Sequence, residues 1–325
     1  MNTKKYLHMF GELAERDEIP RELYDTLVAK IAENGGRMDK RIYKIYLSEL
    51  EKRRLFDVDG APYVTKNSAK TDGTYKYRHP GNPFRYIANA FCGVVLKIIG
   101  YAAGALLFGV WRVKGKKKLK GLRSYITVSN HIGYLDIVLT RRATGRKKLY
   151  VVAAPHNRKM NLGGALLAAA CVLPLPSGFR GAKPFADMLQ YASDRGAAVH
   201  FYPEKSMWIG YKKPRPYKDG AFHYADRLGI PVVPMLYCYG KPKGLRRLLH
   251  MPKMSIEIAD PIYADASLPP RERRKDLADR AFGSAAGLYE SFYGIPLEYE
   301  TDDTATATET EGAETPDADG QAINV

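Results

Sequence analysis

From residue 123 onward the chain alternates short β-like runs with helical stretches, and this alternation constrains the fold more than any other feature. The runs are "SYITVSN", "KKLYVVAAP", "AACVLPLP", "AAVHFYPE", "IPVVPMLYCYG" and "KMSIEIADPI". Between them, "KPFADMLQYASDRG" and "DGAFHYADRLG" carry helical spacing, and each closes on a glycine, the residue that ends a helix most readily. A last helix, over about 270–291, opens on "PPRERRKDLADRAF". Such a sequence of elements predicts an α/β fold over residues 114–295: a mixed, mostly parallel sheet flanked by helices.

Upstream the pattern is helical. Leu23, Leu27 and Ile31 repeat at i+4, Asn34-Gly35-Gly36 supplies a stop, and Ile42, Ile45, Tyr46 and Leu50 resume the spacing. A helical pair is expected over 20–55, within a helical accessory module spanning 1–75. A polar connector over 57–83 closes on "HPGNP". Tyr86 to Trp111 then runs nearly all apolar for 26 residues, long enough to cross a bilayer at 1.5 Å per residue.

Asn89, Gly93, Lys97, Gly100 and Gly104 interrupt that run on a single helical face. A lysine in mid-span costs a few kcal/mol in lipid. The expectation for 76–113 is therefore a linker and a membrane-associated helix, spanning or lying in the interface with its small, polar face toward protein or headgroups. Lys114, Lys116, Lys117, Lys118, Lys120 and Arg123 follow, each able to add ~1 kcal/mol of attraction to an anionic leaflet. The competing expectation is a buried core helix with a solvated basic turn.

Charge is divided unevenly. The whole chain carries +16, yet residues 298–325 hold nine acids and no lysine or arginine, which leaves about +25 on residues 1–297. Residues 296–325 read as a disordered acidic tail. A basic body suits anionic membranes, phosphorylated substrates or nucleic acid. No RNP-like or zinc-finger signature accompanies it, so nucleic acid is not expected as a partner. Cys92, Cys171 and Cys238 stand far apart in apolar settings, giving neither a disulfide framework nor zinc spacing. No metal site is expected from the scattered histidines.

Two stretches carry candidate chemistry. In "VSNHIGYLDIV", His131 follows a strand and Asp136 stands five residues on, at the expected start of a helix. Asp136 could turn back to one ring nitrogen of His131 and leave the other to take a proton, or it could be an ordinary helix cap beside a half-buried histidine. In "HFYPEKSMWIGYKKPRPYKDGAF", a strand runs into Glu204, after which Lys205, Ser206, Lys212, Lys213, Arg215 and Lys218 crowd a proline-containing loop. That loop suits a phosphorylated substrate, or else it is a solvated basic surface. No G-x-S-x-G elbow occurs, which speaks against a serine hydrolase.

Taken in order, these stretches resemble the lysophospholipid acyltransferase family, which includes the 1-acylglycerol-3-phosphate acyltransferases. "NHIGYLD" is similar to its N-H-x4-D block, "FYPEKSMW" stands where it has F-P-E-G-T-R-S, "KDGAF" is similar to its K-x-G-A/T run, and "IPVVPMLY" to its closing I/V-P-V/I-x-P block. The blocks cover about residues 125–240. The resemblance implies a glycerolipid acyltransferase-like fold and transfer of a fatty acyl group from acyl-CoA or acyl carrier protein, as co-substrate, to a lysophospholipid hydroxyl, with 1-acylglycerol-3-phosphate foremost. It implies His131 as general base, Asp136 as its orienter and backbone N–H groups as the oxyanion site. It also implies Glu204 near the acceptor's phosphate end, no cofactor, and work at the cytoplasmic face of the cell membrane.

Two departures bear on the acceptor. Lys205-Ser206-Met207 replaces Gly-Thr-Arg after the glutamate, and "CVLPLPSGFRG" has Ser177 where the second block carries a basic residue. Arg180 and Lys205 are the candidate replacements, with Ser206 beside them. A non-phosphorylated, glycolipid or aminolipid acceptor therefore stands as the alternative, as does an inactive basic membrane-binding protein.

Overall fold

The computed structural model describes residues 1–62, 71–77, 83–110, 112–145, 148–155 and 171–301. Trp111 and nearly all of the expected acidic tail lie outside those residues.

Three helices open the chain: α1 (Thr3–Glu15), α2 (Arg21–Glu33) and α3 (Lys40–Lys52). The expected pair corresponds to α2 and α3, and α1 is additional. Asn2 caps α1 by accepting from the Lys5 N–H at 3.2 Å, and the helix buries Tyr6, Met9, Phe10 and Leu13, an i, i+3, i+4, i+7 spacing that was present in the sequence. Asp39 caps α3 in the same way, accepting from the Ile42 N–H at 2.9 Å. Phe10, Leu13, Leu23, Leu27, Tyr46 and Leu50 make the module's core, and Trp208 joins it from more than 150 residues away in sequence.

Seven strands form the sheet: β1 (Val113–Lys114), β2 (Tyr125–Val128), β3 (Leu149–Ala153), β4 (Val172–Pro174), β5 (Ala198–Phe201), β6 (Val232–Gly240) and β7 (Lys253–Ile258). Their order is β1-β7-β6-β2-β5-β3-β4. Every neighbouring pair is parallel except β6 and β7. Each of the six expected runs contains a strand. Only β1 was not anticipated, since two residues between Trp111 and a lysine run give no alternation to read. All four residues of β2 and of β5 are buried, as a parallel sheet covered on both faces requires.

The covering helices are α4 (Pro83–Leu106), α5 (Asp136–Thr144), α6 (Phe179–Asp194), α7 (Gly220–Leu228), a single turn α8 (Leu245–Leu248) and α9 (Pro270–Tyr293). Phe185 and Leu189 of α6, Phe222 and Ala225 of α7 and Leu277 and Ala281 of α9 pack on Ile126, Val128 and Val199 on one face. Leu139 and Ala143 of α5, with Phe108 and Val110, cover Tyr125, Val151, Val233 and Ile256 on the other.

Helix α4 occupies most of the segment expected to be membrane-associated. No helix among the described residues is long and apolar enough to cross a membrane. On its small face, Gly100 and Gly104 meet protein. A Cβ on Gly100 would lie 3.3 Å from Arg141 Cδ, and one on Gly104 3.3 Å from Arg142 Cβ, so α4 and α5 approach at these two positions. Arg142 secures the contact by donating from Nε to the Val110 carbonyl at 2.9 Å and lying 3.7 Å from the centre of the Tyr101 ring. Phe91, Val94, Ile98, Ile99 and Leu106 remain exposed.

Gly104→Val should push α4 off α5, because the Arg142 stem it would crowd is held by Val110 and Tyr101. A loss of about 1–3 kcal/mol is expected in urea unfolding, whereas Gly283→Ala, which meets nothing within 4 Å at an exposed position of α9, should lose none.

Candidate active site

Val128 at the end of β2 pairs with Phe201 at the end of β5. His131 stands three residues beyond the first and Glu204 three beyond the second, so parallel register delivers both to the same carboxyl edge, where open α/β sheets hold their chemistry. Asn130 fixes the loop between. Its side-chain amide donates to the Tyr237 carbonyl at 3.0 Å and its side-chain oxygen accepts from the Tyr237 N–H at 2.9 Å, imitating a strand pairing with β6.

Asp136 is the first residue of α5 and 4% exposed. Its Oδ2 accepts from the Ile132 N–H at 2.7 Å, the Gly133 N–H at 3.0 Å and His131 Nδ1 at 2.8 Å. The two amides hold the carboxylate, and the carboxylate holds the ring. With the proton on Nδ1, the Nε2 lone pair points away from Asp136, and among the described residues no partner occupies it. The His131 side chain is 24% exposed. Tyr202 stacks on the ring, with centroids 4.1 Å apart and planes 18° apart, and so blocks its rotation from one side. Asp136 is therefore not an ordinary helix cap: its carboxylate makes no cap hydrogen bond to α5 and instead holds the preceding loop amides and the His131 ring.

Behind this layer lies His200, fully buried, with Nδ1 2.9 Å from Thr127 Oγ1 and Nε2 3.3 Å from Ser129 Oγ. Burial, and secondarily His131, pushes its pKa down to about 3, so it is neutral and serves as a spacer rather than a base.

Glu204 is also buried, and every oxygen is engaged. Oε2 accepts from the His131 N–H at 3.1 Å and from the Arg215 guanidinium at 2.7 Å, while Oε1 accepts from the Arg215 N–H at 2.8 Å. Burial pushes the carboxyl upward and Arg215 pulls it back, and a set made only of N–H donors suits the ionised form. Arg215 continues to Ser206 Oγ at 2.5 Å and to the Phe56 carbonyl at 2.7 Å. Ser206 is 1% exposed. Lys205 is exposed, sits at φ +69°, and reaches Asp57 at 3.5 Å. Arg180 is exposed in the first turn of α6, with its backbone against Gly73.

The structure therefore joins His131, Asp136, Glu204 and Ser206 in one connected network. Lys205 stands at its edge through Asp57, and no contact brings Arg180 into it. Sequence reasoning did not single out Asn130, Tyr202 or His200, and it counted Arg215 among surface cations. The prolines on either side of Arg215, which stiffen the backbone around one cation, were the signal available.

Residues 110–238 match the family model described as Acyltransferase. That stretch contains His131, Asp136, Glu204 and Arg215, and it is similar to the acyltransferase family model over those residues. It covers less than half of the chain and leaves helices α1 to α3 outside. Among solved structures, the chain is similar to the crystal structure of the 1-acyl-sn-glycerophosphate (LPA) acyltransferase PlsC from Thermotoga maritima. The identity is 20% and the TM-score 0.46, over 63% of this chain and 83% of that one. No curated protein matches the sequence.

His200 generates a stability prediction. Its folded pKa of about 3 lies below the ordinary value of 6.5, so the unfolded chain takes up the proton first as pH falls. The stabilisation is complete above pH 6.5 and is lost toward pH 3, at about 1.4 kcal/mol per pH unit inside that window. Urea unfolding at pH 7 and pH 4 should show this loss in the native sequence and a flatter dependence in His200→Gln.

Proposed function

We propose that this acyltransferase moves a fatty acyl group from a thioester, carried by CoA or acyl carrier protein, to the hydroxyl of a lysophospholipid-type acceptor. The observation that carries the reading is the Asp136–His131 geometry: a buried carboxylate fixes the Nδ1 tautomer, and Nε2 is left open at the strand edge. His131 Nε2 takes the proton of the acceptor hydroxyl as its oxygen attacks the thioester carbon. The carbon–sulfur bond breaks as the tetrahedral intermediate collapses, and the thiolate leaves with a proton returned from the imidazolium. Asp136 stabilises the imidazolium while it lasts. No cofactor takes part in this scheme.

The leading acceptor is 1-acylglycerol-3-phosphate, with exposed Arg180 and Lys205 as the cations that meet its phosphate. A second reading, with a non-phosphorylated, glycolipid or aminolipid acceptor, is favoured by one observation. Ser206 of the third block and Arg215 of the loop after it are buried against Glu204 and Phe56, which leaves neither available to a phosphate.

Assay of the full chain with a labelled acyl thioester against a panel of acceptors tests both readings. His131→Ala should lower turnover by about 100- to 10,000-fold, and Asp136→Asn by a comparable factor, with unchanged unfolding midpoints for His131→Ala. Acyl transfer that persists in both variants overturns the mechanism. Loss of activity in Arg180→Ala on the phosphorylated acceptor alone would select the first reading.

We further propose that the protein works at an anionic membrane surface on the cytoplasmic side, without a span. The supporting features are the basic body and the exposed apolar residues of α4, continued by Leu245 and Leu248 of α8. Arg246 joins the two by donating to the Leu106 carbonyl at 2.8 Å and the Leu107 carbonyl at 2.5 Å. Ile98→Asp with Ile99→Asp should reduce co-sedimentation with phosphatidylglycerol vesicles by about tenfold or more. Equal sedimentation of both proteins would exclude α4 as the docking face.

A further inference from the structure

The N-terminal module lies outside the matched family stretch, yet its core is closed by a residue of the active-site loop. Trp208 is fully buried in that core. Its indole N–H donates to the Val58 carbonyl at 2.9 Å, and its ring lies 4.5 Å from the Arg215 guanidinium. The same residue faces His131 through its backbone. The Trp208 N–H donates to the His131 carbonyl at 3.0 Å, and two residues on, the Gly210 N–H donates to the Ile132 carbonyl at 3.0 Å. Between them, the Ile209 N–H donates to the hydroxyl of Tyr43 in α3 at 2.8 Å.

The loop 206–210 is thus held on one side by the module and holds on its other side the peptide units of His131 and Ile132. These are the units whose N–H groups also meet Glu204 and Asp136. A displaced Trp208 cannot leave the His131 carbonyl where it is without giving up that hydrogen bond.

We propose that the N-terminal helical module is a positioning element for His131, and that Trp208 and Tyr43 are the positioning residues through which it acts. The module's three helices supply no group to the reacting atoms. They supply the rigid wall against which an irregular, proline-rich loop can hold the backbone of the base. The pair of half-buried Lys213 and buried Glu51, at 2.6 Å, and the contacts of Tyr299 with the Pro214 carbonyl and of the Glu300 N–H with Glu51 close the far side of the same loop.

The proposal rests on the acyl-transfer reading only for its kinetic arm. Trp208→Phe keeps most of the ring volume and removes the bond to Val58, while Tyr43→Phe removes the acceptor of the Ile209 N–H. The reference is Ile31→Val, which thins the module's core without touching the loop. In the full chain labelled with nitrogen-15 histidine, the His131 ring titration and its Nδ1 proton signal are followed by NMR, alongside the thermal midpoint.

The expected result is a displaced titration and an altered Nδ1 signal in Trp208→Phe and Tyr43→Phe but not in Ile31→Val. With an acyl thioester, turnover should fall about 10- to 100-fold in the two loop-facing variants, with KM for the thioester changed less than about twofold. Lower midpoints with an unmoved His131 titration would overturn the proposal and leave the module a stabiliser only. A moved titration with unchanged turnover would overturn it as well. Should the native chain transfer no acyl group to any acceptor, the failure belongs to the acyl-transfer reading, and the NMR arm still decides whether the module positions His131.

Discussion

One buried carboxylate ties the parts of this molecule together. Glu204 accepts from the backbone of His131, the backbone of Arg215 and the Arg215 guanidinium, and Arg215 passes on to Phe56 at the end of the helical module. Three distant stretches of chain meet on its two oxygens. Such a pair is a poor source of net stability, because desolvating both charges offsets much of their attraction. Its value lies in geometry. Removing either partner strands the other charge in the interior, at a cost of about 3–5 kcal/mol, so alternative arrangements of the loop are strongly disfavoured.

The sheet explains why Glu204 is placed to do this. Parallel pairing of β2 with β5 and β6 brings the loops after β2 and β5 to one edge, and they are pinned by side chains acting on backbone: Asn130 on Tyr237 of β6, Asp136 on Ile132 and Gly133, Glu204 on His131 and Arg215. Loops have no ladder of their own, so their amides need such partners when buried. The loop from Glu204 to Lys218 is long and carries prolines, and ordering it costs conformational entropy in proportion to its length. Cover from the module supplies hydrogen bonds and apolar burial against that cost.

The sheet was legible because its strands are bounded by glycines and prolines and separated by helices of clear period. The dyad was legible because His131 and Asp136 lie close in sequence and follow a strand. Helix α1 was not anticipated as a separate element, although Tyr6, Met9, Phe10 and Leu13 carried the period. Arg215 escaped because burial is a tertiary property: among Lys212, Lys213 and Lys218 nothing in residue type marks the one cation that folding turns inward. For Glu204 the resemblance implied a place near the acceptor, and the sequence carried no sign that both its oxygens accept from His131 and Arg215. Around α4 the sequence shows a nearly apolar run, and the structure shows Gly100 and Gly104 taken up by arginines of α5.

The residues that depart from the family's third block acquire a common explanation from residues 56–60. Lys205, standing where the block has glycine, adopts φ +69° and pairs with Asp57. A left-handed lysine is strained by about 1 kcal/mol, which a partner can offset. Ser206, in place of threonine, donates to the Phe56 carbonyl at 3.1 Å. Met207, in place of arginine, presents its carbonyl 2.8 Å from where a Cβ on Gly60 would stand, so only glycine fits there. Trp208 donates to Val58. Residues 205–208 thus each contact residues 56–60, through side chains of Lys205, Ser206 and Trp208 and through the backbone of Met207. The loop after Glu204 and the N-terminal helices are therefore held together as one internal joint.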